Sequence, residues 1–274
     1  MYDLSGKVAL VTGARGEHGI GRAIARRLAQ EGADIVVNDL PDRGGGAWGG
    51  LPAVVSEIEQ MGRRAIGITA DVADPRQVEG MVSSALDCFG HLDILVNNAG
   101  APAGPDRVPV VDLEEDVWDL VLNVNAKGTF LCSRAAARHM IERGGRGKII
   151  NMSSTAGRRG VARFAAYCAS KFAVIGFTQA LALELAPYRI NVNAICPGLV
   201  DTERVLGIAD GMKPEGVTAE RFRDQMRENA ARGNPLGRIG QPGDVAGMAA
   251  FLASAESDYL TGVAVNVAGG AVMG

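Results

Sequence analysis

Residues 7–39 read KVALVTGARGEHGIGRAIARRLAQEGADIVVND, and the order of residue types in this stretch decides the fold. Lys7 to Thr12 is a short apolar run rich in β-branched residues, the composition of a buried strand. Glycines follow at once, at Gly13, Gly16, Gly19 and Gly21. From Gly21 to Gly32 the apolar residues Ile24, Ala25, Leu28 and Ala29 recur at helical spacing. Asp34 to Asn38 then forms a second buried run that ends on Asp39. Strand, glycine turn, helix, strand and acid is the order of a dinucleotide-binding unit. Glycines let the backbone approach a pyrophosphate, the helix N-terminus attracts its charge, and the acid binds the adenosine ribose hydroxyls. An acid at Asp39 repels a ribose 2′-phosphate, which favours NAD over NADP. Leu40 and His18 supply no permanent cation there; Arg15 and Arg43 are the residues able to reverse that preference.

Working outward, strand-like runs cover Arg64 to Thr69, Leu92 to Asn97, Lys148 to Met152, Ile190 to Ile195 and Val263 to Val267. Helical patterns fill Pro75 to Phe89, Glu114 to Arg143, Arg163 to Leu185 and Pro242 to Leu252. This alternation predicts an α/β chain with a parallel sheet and helices on both faces. Nothing reads as a linker or repeat, so residues 1–274 are expected to form a single domain. The stretch PDRGGGAWGGLP, Pro41 to Pro52, is read as a loop because it is too glycine-rich for a stable helix. Trp48 in that loop is a candidate cover for an adenine or a subunit contact.

A second constellation lies in the middle of the chain. Ser154 precedes Tyr167 by thirteen residues, and Lys171 follows the tyrosine by four. On a helix the last two share a face, which sets an ammonium beside a phenol. Bringing a phenol from about 10 to near neutrality takes about 4 kcal/mol of differential interaction. Lys171, a cofactor's positive charge and hydrogen bonds to the phenolate are the available sources, and the product is a general base for an alcohol.

With both constellations in place, the chain closely resembles the short-chain dehydrogenase/reductase family along nearly its whole length. Thr12, Gly13, Gly19, Ile20 and Gly21 resemble that family's cofactor turn, and Asp71 with Val72 its adenine-contacting pair. Asn97, Asn98, Ala99 and Gly100 spell its NNAG, Asn125 matches its helix asparagine, and Ser154, Tyr167 and Lys171 match its catalytic residues. Pro197, Gly198 and Thr202 match the loop that holds the nicotinamide amide; Arg15, Leu40 and Val200 complete the expected cofactor contacts. Two departures stand out. Five residues separate Gly13 from Gly19 where the family usually has three, and Ala268 stands where it often has an acid.

The resemblance implies a Rossmann-type doubly wound sheet and an NAD(H)-dependent oxidoreductase interconverting a secondary alcohol and a ketone. In that reading Tyr167 moves the hydroxyl proton and Ser154 holds the same oxygen. Lys171 binds the nicotinamide ribose and lowers the tyrosine's pKa, and Asn125 holds a water leading from Lys171 to solvent. A 3-oxoacyl-thioester reductase and a sugar or polyol (glucose-type) dehydrogenase share this motif set, and a non-catalytic NAD(H)-sensing protein shares the fold. Substrate choice is expected in about residues 199–235, where Leu199, Leu206, Ile208 and Met212 offer apolar contacts and Thr218 is a helix cap. Arg158, Arg159 and Arg163 are candidates for an acidic substrate group. The family's tetramers imply a homotetramer here.

The formal charge of −3 and the lack of a basic cluster argue against nucleic acid as a partner. No unbroken apolar stretch reaches about 18 residues, and Met1 to Gly6 is no signal peptide. Cys88, Cys132, Cys168 and Cys196 lack close-pair spacing, as suits free thiols in a reducing, cytoplasmic setting. His18, His91 and His139 are scattered without metal-ligand spacing, so no metal site is expected.

Overall fold

The structure, a computed structural model, describes residues 2–41 and 48–273. Seven parallel strands form one sheet: β1 (Val8–Thr12), β2 (Asp34–Asp39), β3 (Ala65–Thr69), β4 (Ile94–Asn97), β5 (Gly147–Met152), β6 (Ile190–Pro197) and β7 (Ala264–Val267). Their order is β3-β2-β1-β4-β5-β6-β7, and every pairing is parallel. The order reverses direction between β1 and β4, which opens a crevice beyond their C-terminal ends.

The central strands are mostly apolar because both faces are covered. Ala9, Val11, Ile35, Val37 and Val96 point to one side, against α1 (Ile20–Gln30), α2 (Gly50–Gln60) and α9 (Pro242–Ala253). Their neighbours Val8, Leu10, Val36, Leu95 and Ile149 pack on the other, against α3 (Pro75–Phe89), α5 (Gly128–Glu142) and α6 (Ala165–Leu185). Each fully buried Leu or Ile in these layers contributes about 1.5–3 kcal/mol. Between the layers runs a buried polar chain. Asn97 Nδ2 donates to Asn151 Oδ1 (2.8 Å) and to Ser133 Oγ (2.9 Å), and Asn151 Nδ2 donates to Thr178 Oγ1 (3.0 Å). These bonds fix β4 and β5 against α5 and α6, directly under the crevice.

Four elements differ from the expected ones. The stretch 41–52 is not loop to its end, since α2 begins at Gly50 and carries Pro52 in its first turn, where a missing N–H costs nothing. Apolar Val54 and Ile58 then bury that helix against the sheet. The helix read as Glu114 to Arg143 is α4 (Glu115–Leu122) and α5 joined by one π-helical turn, Asn123–Lys127. α6 starts at Ala165 because Arg163 sits at φ 66°, a left-handed conformation that cannot begin a helix. A further helix, α7 (Arg204–Met212), precedes α8 (Ala219–Gly233) in the segment expected to select substrate. Thr218 does cap α8, its Oγ1 accepting from Arg221 N–H at 3.3 Å. Continued through the following turn, the apolar α6 (Ala165–Tyr188) is long and apolar enough to cross a membrane, but it packs along the sheet and carries Tyr167 and Lys171.

Candidate active site

The crevice has one wall made of backbone. Thr12 Oγ1 accepts from the N–H groups of Asn98 (3.0 Å) and Ala99 (3.1 Å), while Asn98 Nδ2 donates to the carbonyls of Thr12 (2.9 Å) and Gly13 (2.8 Å). The ends of β1 and β4 are thereby locked together, with Gly13 at φ 67° turning the chain away. A Cβ at Gly21 would collide with the Gly13 carbonyl oxygen, so only glycine lets α1 come this close. The two extra residues of the turn form a small bend at Glu17–His18, closed by Gly19 N–H to Gly16 O at 3.2 Å. α1 has no side-chain cap and no acid in its first turn, which leaves its N–H groups for an anion. The turn already attracts one: His18 N–H donates to Glu203 Oε1 at 2.6 Å.

At the end of β2, Asp39 accepts from the N–H groups of Arg15 (3.0 Å) and Leu40 (2.8 Å). Arg15 Nε stands 3.6 Å from the same carboxylate and Nη1 donates to Pro41 O at 3.0 Å, so this arginine is paired with the acid. Arg43 lies outside the described residues. Trp48 docks on the outside of the turn, its Nε1 donating to Arg15 O at 2.6 Å and its ring under the Arg22 guanidinium. Asp71 closes its own turn by accepting from Ala73 N–H at 2.8 Å; Val72 is buried against Gly128. Across the crevice, Pro197 ends β6, Gly198 N–H donates to Val267 O at 3.1 Å, and buried Val200 bridges to Gly240. Thr202 leads into α7, its carbonyl accepting from Val205 N–H at 3.1 Å. Ala268 is buried where a Cβ on Gly198 would meet it at 3.3 Å.

The donor set therefore fits a dinucleotide: open N–H groups at a helix start, a carboxylate at the end of β2, and a lysine beyond β5. Residues on both walls line a cleft of about 530 Å³, among them Gly19, Arg22, Thr202, Glu203, Arg223 and Arg227.

Tyr167, Ser154 and Lys171 come together outside this lining. Lys171 is buried and donates from Nζ to Met152 O at 2.7 Å; it stands 5.7 Å from the centre of the Tyr167 ring. Ser154 has extended backbone, its Oγ accepts from Ala156 N–H at 3.1 Å, and its hydroxyl acts on that of the tyrosine to lower the phenol. Burial pushes the Tyr167 phenol up, but Lys171, Arg204, the Ser154 hydrogen bond and Arg107 outweigh it and hold the phenol below its ordinary 10.0. Lys171 is likewise lowered, chiefly by burial, with Tyr167 opposing and Arg204 adding to the shift.

Asn125 sits in the π turn, a distortion common at functional positions. Its Oδ1 accepts from Ala101 N–H (2.9 Å) and its Nδ2 donates to Ser170 Oγ (2.9 Å), which donates on to Tyr167 O (2.8 Å). This chain ties the loop after β4 to the backbone of the tyrosine itself.

Two arginines at the site carry no motif. Arg107 is fully buried, its guanidinium 4.5 Å from the Tyr167 ring centre and 3.8 Å from that of Phe164. Arg204 lies 5.3 Å from the Tyr167 ring and donates to Ala101 O at 2.5 Å. The arginines expected to meet an acid are engaged elsewhere or exposed: Arg158 donates to Ala264 O, Arg163 to Gly211 O at 3.1 Å, and Arg159 is exposed. Among the described residues no cluster of His, Cys, Asp and Glu could hold a metal ion. Cys132, Cys168 and Cys196 are buried free thiols, Cys88 is exposed, and burial pushes Cys132 up to about 12.

Comparison with known proteins agrees with this arrangement. A family model described as enoyl-(acyl carrier protein) reductase matches residues 13–272. Sorbitol dehydrogenase of Cereibacter sphaeroides is 40% identical over 268 residues, covering 97% of this chain and 98% of that protein. Galactitol 2-dehydrogenase of Agrobacterium fabrum is 39% identical with the same coverage. The crystal structure of NAD+-bound xylitol dehydrogenase superimposes with a TM-score of 0.84 at 35% identity, covering 97% of this chain and 99% of that one.

Proposed function

Because the chain belongs to the short-chain dehydrogenase/reductase family, whose members are nicotinamide-dependent oxidoreductases, we propose that it is an NAD(H)-dependent dehydrogenase of secondary alcohols with Tyr167 as its proton-transfer group. The observation that carries this reading is the convergence of Ser154 and buried Lys171 on Tyr167, with the ammonium 5.7 Å from the ring centre and both groups acting to lower the phenol. Polyhydroxy alcohols are the first substrates to examine, since relatives at 39–40% identity act on sorbitol and galactitol by name.

The glycine turn and the N-terminus of α1 would hold the pyrophosphate, Asp39 the adenosine ribose, Lys171 the nicotinamide ribose, and Pro197 to Thr202 the nicotinamide end. When bound, the cofactor supplies a two-electron hydride acceptor or donor. The protein's part is to move the proton and hold the oxygen. Tyr167 as phenolate takes the hydroxyl proton in alcohol oxidation and returns it in ketone reduction. Ser154 donates to the same oxygen and holds the carbon in place as negative charge grows there. Asn125 positions Tyr167 through Ser170. The carboxylate of Asp39 favours NAD, because a 2′-phosphate would enter against it. Arg15, paired with Asp39, is the one nearby cation able to soften that preference among the described residues.

Trp118, Leu120, Phe130 and Phe172 leave apolar surface exposed on α4, α5 and α6, which supports a homotetramer built through these helices. Free thiols support a cytoplasmic setting.

The test is steady-state turnover with NAD and with NADP on sorbitol, galactitol, xylitol and simple secondary alcohols. NAD-dependent oxidation that is lost in Tyr167→Phe is the expected result. Turnover that survives this change removes Tyr167 from its role, and a preference for NADP removes Asp39 from its own.

A further inference from the structure

Three cations converge on Tyr167, and among the described residues one carboxylate, Asp106, pairs with any of them. Lys171 is offset by the phenolate it serves. Arg107 and Arg204 remain, both against the same ring, and Arg204 disfavours the charge on Arg107. Asp106, itself buried, answers one nitrogen of Arg107, with Nη1 to Oδ2 at 2.6 Å. The other two nitrogens, Nε and Nη2, are buried without a hydrogen-bond partner. Arg204 forms no ion pair among the described residues and donates to a neutral carbonyl. Aromatic stacking on Phe164 and Tyr167 offsets part of the cost of burying a guanidinium but satisfies no N–H. A buried cation with two idle donors, placed beside a second unpaired cation at a reactive hydroxyl, is built to receive an anion.

We propose that Arg107 and Arg204 together bind an anionic oxygen group of the substrate, a carboxylate or a phosphate monoester, so that the enzyme acts on hydroxy acids or phosphorylated polyols. This inference rests on the reading of Tyr167 as the proton-transfer group. The guanidinium fork suits such a group, offering paired N–H donors in one plane. α7 carries Arg204 and lies on the loop before Arg107, with a Cβ at Gly207 reaching within 2.7 Å of Ala103 O. Because Arg107 is fully buried, binding there requires α7 to shift outward to admit the anion, carrying Arg204 back onto it on return. The reaction balances with the anion as spectator. The carbinol C–H bond breaks and its electron pair leaves as hydride for the oxidised nicotinamide. The O–H proton passes to Tyr167, and the C=O bond forms.

The test compares matched substrates by kcat/KM with NAD: D-gluconate against D-sorbitol, 3-hydroxybutyrate against 3-hydroxybutyramide, and sorbitol 6-phosphate as the phosphate arm. Calorimetric titration of non-reacting succinate and of inorganic phosphate into the NAD-saturated protein, whose glycine turn is then occupied, adds a readout independent of turnover. An anionic member of a pair should exceed its neutral partner at least 10-fold. Arg204→Gln should cut that ratio 10-fold or more through KM, and should abolish the calorimetric signal. Arg107→Lys should do the same if it folds; Arg204→Gln decides the matter alone if it does not. A carboxylate preference and a phosphate preference identify which source the site takes. Equal or better turnover of the neutral partners overturns the proposal while leaving the dehydrogenase reading intact. No turnover of any substrate, together with no anion binding, overturns both.

Discussion

The two walls of the crevice are held by different kinds of contact. On the glycine side, Thr12, Gly13, Gly21 and Asn98 join the ends of β1 and β4 through bonds to backbone and through a van der Waals fit with no room for a side chain. On the opposite side, α7 and α8 lie over the opening, and α8 buries none of its residues. That wall is tied down by side chains that reach across: Glu203 to His18 N–H, Arg204 to Ala101 O, and Arg227 to Asp201 at 2.5 Å. A wall of packed backbone has one position, whereas a wall held by a few polar contacts can open at modest cost. The first suits a cofactor that is the same in every turnover. The second suits the choice and release of substrate.

Tyr167→Phe, at the seam between the walls, has the largest expected effect. Removing the proposed proton-transfer group should lower kcat by about 10³-fold or more, within the usual range for general acid–base catalysis. Cofactor binding, followed by calorimetry, should stay within a few-fold, because Lys171 keeps its bond to Met152 O. Next comes Gly21→Val, aimed at the backbone wall. A branched side chain there strikes the Gly13 carbonyl and the Asn98 amide, so about 2–3 kcal/mol of stability should be lost along with measurable NAD binding. Thermal unfolding reads the first part and titration the second. A comparably bulky change on the exposed face of α8 should leave the melting temperature within about one degree, consistent with surface substitutions. If both changes cost the same, the contrast between the walls is wrong.

Much of this was legible in residues 7–39 and in the apolar runs that follow. Strands buried on both faces announce themselves as continuous Val, Ile and Leu, and glycine positions are dictated by the close approach they permit. What sequence patterns missed has physical reasons too. α2 hides behind a glycine-rich stretch, since its stability comes from burying Val54 and Ile58 rather than from the propensity of its first turn. The π turn at Asn123–Lys127 slips one extra residue into a helical period, a change too small for periodicity to register. Arg107 and Arg204 sit 97 residues apart in regions without a motif, and only the packing of α7 on the loop after β4 brings them to one ring. Arg158, Arg159 and Arg163 were the natural candidates because they lie between Ser154 and Tyr167, yet nearness along the chain did not place them at the hydroxyl.

Arg204→Gln sharpens the comparison through pH. Arg204 helps hold the Tyr167 phenol down, so its loss lets that pKa rise. In the proposed mechanism alcohol oxidation requires the phenolate, which is the deprotonated form. The acid limb of kcat/KM for a neutral alcohol should therefore move to higher pH, with ketone reduction extending to higher pH in step. An unmoved profile would mean that α7 does not reach the reacting group in solution.

Glu203→Gln should give the smallest effect and the most pointed one. Glu203 precedes α7 on one wall, and its carboxylate accepts from His18 N–H on the other, at the turn where a pyrophosphate would bring negative charge. A carboxylate and a phosphate compete for the same donors and repel each other, at a cost that exposure keeps to about 0.5–1 kcal/mol. Glutamine keeps the acceptor oxygen and removes the charge. NAD should then bind about two- to five-fold more tightly, with the gain shrinking as salt screens the repulsion. Weaker binding would show the reverse: that the carboxylate steadies the turn for the cofactor rather than standing in its way, and that α7 need not move when the cofactor enters.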